Sequence, residues 1–278
     1  MRIALVQVAS GADEAPDARR ARVGRMVADA RGADLVVLPE LWAAGYFAFD
    51  AYADRAESLS GATVSAGRAW ARALNSHVHL GSIVERDREG RLFNTAILLS
   101  PDGVIRHTYR KIHVFGYASR EAELLTPGER LDVVDTEFGR FGATTCYDLR
   151  FPEMWRDLVD LGAQSVVVPA AWPAARREHW RLFTSCRAVE EQILLIACNA
   201  VGVQADGVEL AGHSRVVGPW GDVLVEAGTD EGVTFCDVDP AVVDEVRAEF
   251  PVLADRRPSG VFPAAARLIE PDTEELPN

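Results

Sequence analysis

The sequence predicts an α/β protein built in layers. Several short runs are apolar along almost their whole length, LVVL (35–38), SVVV (165–168) and ILLIA (193–197), which implies strands buried on both faces. Segments with apolar residues at helical spacing alternate with these runs, the pattern of sheets covered by helices. The 278 residues are 48% hydrophobic and 26% charged, enough apolar material to fill such a core without disulfides or a structural metal.

Taken in order, IALVQV (3–8) reads as a strand, and 16–31 as a helix with Pro16 near its start and Gly32 at its end. DLVVLPE (34–40) is a buried strand stopped by Pro39, and 61–76 is helical. HLGSIVER (79–86) and FNTAILLSPDG (93–103) form a meander that VIRHTYRK (104–111) joins through a PDG turn. RLDVVDT (130–136) and RFGATTCYD (140–148) are strands, FPEMWRDLVDLG (151–162) a helix, SVVVPAAW (165–172) a strand and 177–192 a helix. Strands follow at 193–202, 213–221, 222–228 and 233–239, then a helix over 240–249. No Pro/Gly/Ser-rich linker interrupts residues 1–250, so one continuous domain is expected. The proline-bearing, polar tail after Pro251 reads as an extended arm.

Lys plus Arg number 29 against 42 Asp plus Glu, a net charge of −13. A phosphate-binding surface needs clustered cations. The densest groups, Arg19-Arg20 with Arg22 and Arg25, and Arg176-Arg177, are too sparse, so no nucleic-acid partner is expected. No apolar run approaches the ~18 residues of a membrane span, and MRIALVQVAS, broken by Gln7, does not read as a signal peptide. Cys146, Cys186, Cys198 and Cys236 show neither C-x-x-C nor zinc-ligand spacing. Free thiols in a chain of this size suggest a reducing compartment, hence the cytoplasm.

In α/β sheets, reactive groups gather beyond the carboxyl ends of strands. Glu40 ends DLVVLPE, Lys111 ends VIRHTYRK and Cys146 lies near the end of RFGATTCYD. A thiol must become a thiolate to attack a carbonyl or nitrile carbon. A carboxylate can accept its proton, and an ammonium can stabilise the oxyanion. Taken singly, each has a plainer reading: Cys146 as a small core residue, Glu40 as a cap, Lys111 as a solvated cation.

The surrounding residues change that balance. LVVLPE (35–40), YRKIHVFG (109–116) and TTCYDLRFPE (144–153) resemble, in order, the three catalytic segments of the nitrilase superfamily, the carbon–nitrogen hydrolases. The resemblance continues through VPAAWP (168–173), RAVEEQ (187–192), ACNAVG (197–202), AGHSRVVGPWGDVL (211–224) and DVDPAVVDEVR (237–247), and so covers residues 1 to about 258. It implies a four-layer α-β-β-α sandwich, a hydrolase domain over 1–258 and a C-terminal arm over 259–278. By the same resemblance Glu40 is the general base, Lys111 the cation that stabilises the tetrahedral intermediate and Cys146 the nucleophile. A second, supporting Glu precedes LTPG (125–128). Glu121 is the better match, with Glu123 two residues away. The Tyr147 N–H completes the oxyanion hole. The reaction passes through a thioester on Cys146, with no metal or organic cofactor. Helices 151–162 and 177–192 are expected at a dimer interface, with the arm reaching across, in a homodimer or a higher homo-oligomer. His113 reads as a supporting residue rather than the base, and His213 as loop support. Cys186, Cys198 and Cys236 read as core.

For the substrate, CYDLRFPE resembles the omega-amidase and small-amide amidase branches more than nitrilases. No segment outside the hydrolase region suggests a fused synthetase. Arg150, four residues past Cys146, could pair with a substrate carboxylate, as in an omega-amide such as 2-oxoglutaramate. Alternatively it pairs with Asp148 or Glu153. Trp172 is either a pocket wall or a structural Trp. The competing functions are an N-carbamoyl hydrolase, a nitrilase, and a partner-binding pseudo-enzyme. RAVEEQ departs from the family in carrying Glu191 where relatives often have Asn, and the loop 113–123 has its own composition.

Overall fold

A computed structural model describes residues 1–257 apart from 12–13, 118 and 205–206. In chain order the first half comprises β1 (Arg2–Gln7), α1 (Pro16–Asp29), β2 (Leu35–Val37), α2 (Tyr52–Arg55), α3 (Ala62–Leu74), β3 (His77–Arg86), β4 (Leu92–Leu99), β5 (Ile105–Arg110) and α4 (Glu121–Leu124). The second comprises β6 (Val133–Thr136), β7 (Gly139–Ala143), α5 (Pro152–Asp160), β8 (Ser165–Ala170), α6 (Arg177–Glu191), β9 (Leu194–Asn199), β10 (Val201–Val203), β11 (Glu209–Ala211), β12 (Arg215–Val217), β13 (Val223–Glu226), β14 (Gly232–Asp237) and α7 (Val242–Glu249).

Two six-stranded mixed sheets result, ordered β14-β1-β2-β3-β4-β5 and β13-β12-β9-β8-β7-β6. Each has three parallel strands at its centre, β1-β2-β3 in one and β7-β8-β9 in the other. The period-2 alternation of strands sorts their side chains into separate cores. Ile3, Leu5, Leu35 and Val37 face Val167, Leu194 and Ile196 between the sheets. Ala4, Val6 and Val36 pack outward on Val23 and Val27 of α1 and Val64 of α3. On the other side Val166, Val168 and Leu195 meet Trp155 and Leu158 of α5 and Trp180 and Ala188 of α6. The order of layers is therefore helix, sheet, sheet, helix, the expected α-β-β-α sandwich.

Several boundaries differ from the sequence reading. The run 140–148 stops as a strand at Ala143, and Cys146–Arg150 forms a 3₁₀ turn instead. The stretch 193–202 divides into β9 and β10, and β10 pairs with β11, which the reading missed. Of the three cysteines expected in the core, Cys198 and Cys236 are buried, but Cys186 on α6 is only half-buried. All four cysteines are free thiols. No helix among the described residues is long and apolar enough to cross a membrane. The expected C-terminal arm, 259–278, lies outside the described residues.

Candidate active site

The two central parallel groups and β5 end at one edge of the sandwich, and the chemistry-bearing residues collect there. Glu40 follows β2 by three residues. Pro39 lacks a backbone N–H and cannot extend the ladder, so the chain turns at that point. The turn is tight: a Cβ on Gly81, whose φ is +68°, would sit 1.9 Å from the Pro39 carbonyl oxygen, so only glycine fits. Leu41 adopts φ +45° and its N–H donates to Ser82 Oγ at 3.0 Å. These contacts drive the Glu40 carboxylate into the gap between the sheets. Its Oε1 accepts from Lys111 Nζ at 2.8 Å and Asn94 Nδ2 at 2.8 Å, and its Oε2 accepts from the Ala171 N–H at 3.0 Å. One carboxylate thus ties β2 and β4 of the first sheet to the end of β8 in the second.

Lys111 continues β5, its N–H donating to the Asn94 carbonyl at 2.8 Å and its carbonyl accepting from Gly128 at 2.8 Å. A Cβ on Gly128 would lie 2.0 Å from the Arg110 carbonyl oxygen, which explains the glycine of LTPG. The Lys111 ammonium is wholly buried between Glu40 and Glu121, reaching the latter at 2.9 and 3.1 Å. Glu121 also accepts from Tyr46 Oη at 2.7 Å, the Phe115 N–H at 3.0 Å and Asn94 Nδ2 at 3.2 Å. Glu123, its rival, is 70% exposed and faces Arg120.

Cys146 opens the 3₁₀ turn with φ +48°. A non-glycine residue in that region costs of order 1 kcal/mol or more, so the surroundings must hold it. Asp148 does so. This buried carboxylate accepts from the Thr145 N–H at 2.9 Å, Tyr109 Oη at 2.8 Å, the His113 N–H at 3.0 Å and His113 Nδ1 at 2.8 Å. It binds the nucleophile turn to the residues on either side of Lys111. Arg187 adds two donors to the Leu149 carbonyl, both at 3.1 Å. His113 stacks on Phe151 at 3.7 Å between centroids, which accords with a supporting role. His213 is likewise structural: its carbonyl accepts from Trp180 Nε1 at 2.8 Å, and its ring meets Glu226 at 3.1 Å.

The electrostatics follow from burial. Desolvation pushes the Glu40 carboxyl above the ordinary carboxylate range; the Lys111 charge opposes this and the Glu121 charge adds to it. Burial pushes the Cys146 thiol well above its usual range, and the neighbouring Glu40 charge pushes it further. Burial works against the Lys111 charge, but Glu121 and Glu40 outweigh it and hold the ammonium protonated. The resting site therefore carries a protonated thiol beside a carboxylate of raised proton affinity and a fixed cation. Such a set can attack an electrophilic carbon with proton transfer to the carboxylate.

Cys146 opens into a small cavity of about 30 Å³ lined by Tyr46, Phe47, Phe115, Tyr147, Trp172 and two arginines, Arg150 and Arg176, among others. The structure thus brings Tyr147, Arg150 and Trp172 together with Cys146. Arg150 does not pair with Asp148 or Glu153, the alternative raised from sequence: Asp148 is consumed by its four donors. Instead the Arg150 guanidinium lies 4.8 Å above the Trp172 ring and 5.1 Å from Phe183, with His179 Nδ1 at 3.3 Å. Trp172 is both wall and structural post, since its Nε1 donates to the Arg176 carbonyl at 2.8 Å. Sequence reasoning missed Asn94, Tyr46, Asp148 and Arg176. Asn94 of FNTAILL carried no signal of its own, since it stands beside the equally polar Thr95 in a strand. Among the described residues, no group of His, Cys, Asp or Glu could hold a metal ion.

Residues 2–248 match the carbon-nitrogen hydrolase family. The chain belongs to that family. This carbon–nitrogen hydrolase is 37% identical over 262 residues to a 2-oxoglutaramate amidase of Paenarthrobacter nicotinovorans, covering 92% of this chain and 89% of the relative. It is 32% identical to a human omega-amidase, over 92% and 95% of the two chains. Among solved structures it superposes with a TM-score of 0.86 on a CN-hydrolase superfamily protein of Xanthomonas campestris that carries an arsenic adduct in its active site. That pair is 31% identical and covers 93% and 97% of the two chains. The protein is therefore a hydrolase of carbon–nitrogen bonds on the fold of the nitrilase superfamily.

Proposed function

We propose that this hydrolase is an omega-amidase: it converts the terminal amide of a short acid, such as 2-oxoglutaramate or succinamate, to the acid and ammonia. The observation that carries the reading is Arg150, a half-buried guanidinium lining the same cavity as Cys146 and within ion-pair distance of no carboxylate among the described residues. Such a cation is matched to a carboxylate on the substrate. The names of the relatives, 2-oxoglutaramate amidase and omega-amidase, support the same substrate class.

Glu40 takes the proton of Cys146 as sulfur attacks the amide carbon. The tetrahedral oxyanion is held by Lys111 and the Tyr147 N–H, while Glu121 and Asn94 hold Lys111 and Glu40 in register. The C–N bond breaks as Glu40 returns the proton to nitrogen, and ammonia leaves a thioester on Cys146. Water then attacks with Glu40 as base, the C–S bond breaks and the thiol regains its proton. The raised proton affinity of both partners favours a proton transfer that accompanies carbon–sulfur bond formation over a preformed thiolate.

Ammonia release from 2-oxoglutaramate, succinamate, propionamide, an N-carbamoyl amino acid and an aliphatic nitrile tests the reading, with Cys146→Ala as control. Hydrolysis of the two carboxylate-bearing amides, lost in the control, is the expected result. Preference for propionamide, for the N-carbamoyl compound or for the nitrile replaces the omega-amidase reading with one of the others. We also propose a homodimer in the cytoplasm. Exposed Leu182 and Val189 on α6, with the stacked pair Trp220 and Phe250 nearby in the fold, supply apolar surface for pairing, and four free thiols fit a reducing compartment. Light scattering on the purified chain tests the dimer.

A further inference from the structure

We infer that Arg176, which lies outside the Glu-Lys-Cys set and four residues past Trp172, is the second arm of a two-arginine clamp on the substrate's distal carboxylate. The inference rests on the omega-amidase reading and deepens it. Arg176 ends a short 3₁₀ turn, Ala174–Arg176, immediately before α6. Its backbone is fixed at both groups: the N–H donates to the Pro173 carbonyl at 3.0 Å, and the carbonyl accepts from Trp172 Nε1 at 2.8 Å. Its guanidinium lies 5.9 Å from the Phe115 ring and 6.0 Å from the Tyr117 ring. Arg150 stacks on Trp172 and Phe183, so the two cations rest on separate aromatic supports while lining one cavity with Cys146. Neither meets a carboxylate among the described residues.

Two uncompensated cations facing one small cavity repel each other, and in a chain of net charge −13 no shortage of acidic residues explains their lack of partners. The arrangement is matched to an anion of the substrate. Planar guanidinium groups on two sides of a carboxylate can engage both of its oxygens. The aromatic supports restrict the side chains before binding, which lowers the ordering cost of forming the clamp. The substrate class that fits has a linear amide at the Cys146 end and a carboxylate at the other, with few atoms between. Phe115 and Tyr117 belong to the loop after Lys111, so occupancy of Arg176 also bears on the wall of the cavity nearest the cation of the triad.

The experiment compares kcat and KM for succinamate and propionamide in the wild type, Arg150→Gln, Arg176→Gln and Arg176→Lys, together with inhibition by succinate. Arg176→Gln should lower the succinamate-to-propionamide ratio of kcat/KM by roughly 10- to 100-fold, the range a charge-assisted hydrogen bond supplies. Most of the loss should lie in KM, with weaker inhibition by succinate and partial recovery in Arg176→Lys. A wild type that prefers succinamate, loses the preference in Arg150→Gln and keeps it in Arg176→Gln would overturn the clamp and leave the omega-amidase reading standing. A wild type without preference for succinamate would overturn both. A uniform fall in kcat on both amides in Arg176→Gln would assign Arg176 to the shape of the cavity and overturn the clamp.

Discussion

Replacing Asp148 by Asn should both destabilise the protein and disable Cys146. The wild-type carboxylate accepts four hydrogen bonds, two per oxygen, from the Thr145 N–H, Tyr109 Oη, the His113 N–H and His113 Nδ1. An amide keeps the shape but turns one oxygen into a donor, which then faces donors. Two hydrogen bonds to an ionised acceptor, at about 1.5–3 kcal/mol each, are lost or weakened. If the amide nitrogen replaces Oδ2, the Thr145 N–H is left without its partner; Tyr109 Oη can turn to accept instead. The Thr145 bond alone accounts for a loss of about 1.5–3 kcal/mol, and the weakened Tyr109 bond adds to it, read from urea unfolding followed by tryptophan fluorescence and circular dichroism. Thr145 precedes the strained Cys146, so kcat on succinamate should fall by about two orders of magnitude even at temperatures where the variant is fully folded, in keeping with the cost of small misplacements at a reacting centre. A variant within about 1 kcal/mol of wild type and with unaltered kcat would refute the view that Asp148 holds the nucleophile turn.

Other expectations follow from single contacts. Gly81→Ala places a Cβ against the Pro39 carbonyl at a positive φ, so it should lower stability by ~2 kcal/mol or more and displace Glu40; unfolding midpoints and activity check both, and wild-type values for each would contradict the packing. Burial holds the Glu40 carboxyl above its usual range, so kcat/KM should decline on acidification at a pH clearly above 4.5, the ordinary value for Glu; a profile flat down to that pH would show Glu40 is not the base. Glu191, buried at the end of α6 with Arg156 at 3.1 Å, titrates at about 7 because burial outweighs its cation. Its folded value lies above its unfolded one, so the stability it permits is present below about pH 4.5 and is lost as pH rises through 7. Glu191→Gln should therefore raise stability at pH 8 by up to ~3 kcal/mol and leave it little changed at pH 5, measured by thermal melts at both values; equal melting shifts at the two values would reject that titration.

Much of the fold was legible because its signals are local. LVVL and LLIA are apolar at every position and SVVV at all but Ser165, and such strands belong in the middle of covered sheets, where β2, β8 and β9 lie. Glu40 and Lys111 could be placed because each closes a run readable as a strand, Lys111 directly after β5 and Glu40 three residues after β2. The run through Cys146 was misread because Thr-Thr-Cys-Tyr has strong strand propensity, whereas the chain is turned there by Asp148, whose partners Tyr109 and His113 lie more than 30 residues away. Asn94 looked like any residue of a strand; that its amide spans Glu40 and Glu121 depends on β4 crossing between β3 and β5. Arg176 registered only as half of a basic pair, since its meaning comes from sharing a cavity with Arg150. Glu191 stood out by its identity, but its burial was not readable from the helix pattern alone. What stayed hidden was the pairing of polar groups across elements, which periodicity does not report.

The central claim is a covalent acyl group on Cys146. Wild-type protein mixed with succinamate, quenched in acid within the first turnovers and digested, should yield the peptide containing Cys146 heavier by the mass of succinamate less ammonia. That mass should disappear on treatment with hydroxylamine and be absent from Cys146→Ala. Sustained ammonia release by Cys146→Ala, or an acyl group carried by a different residue, would contradict the account.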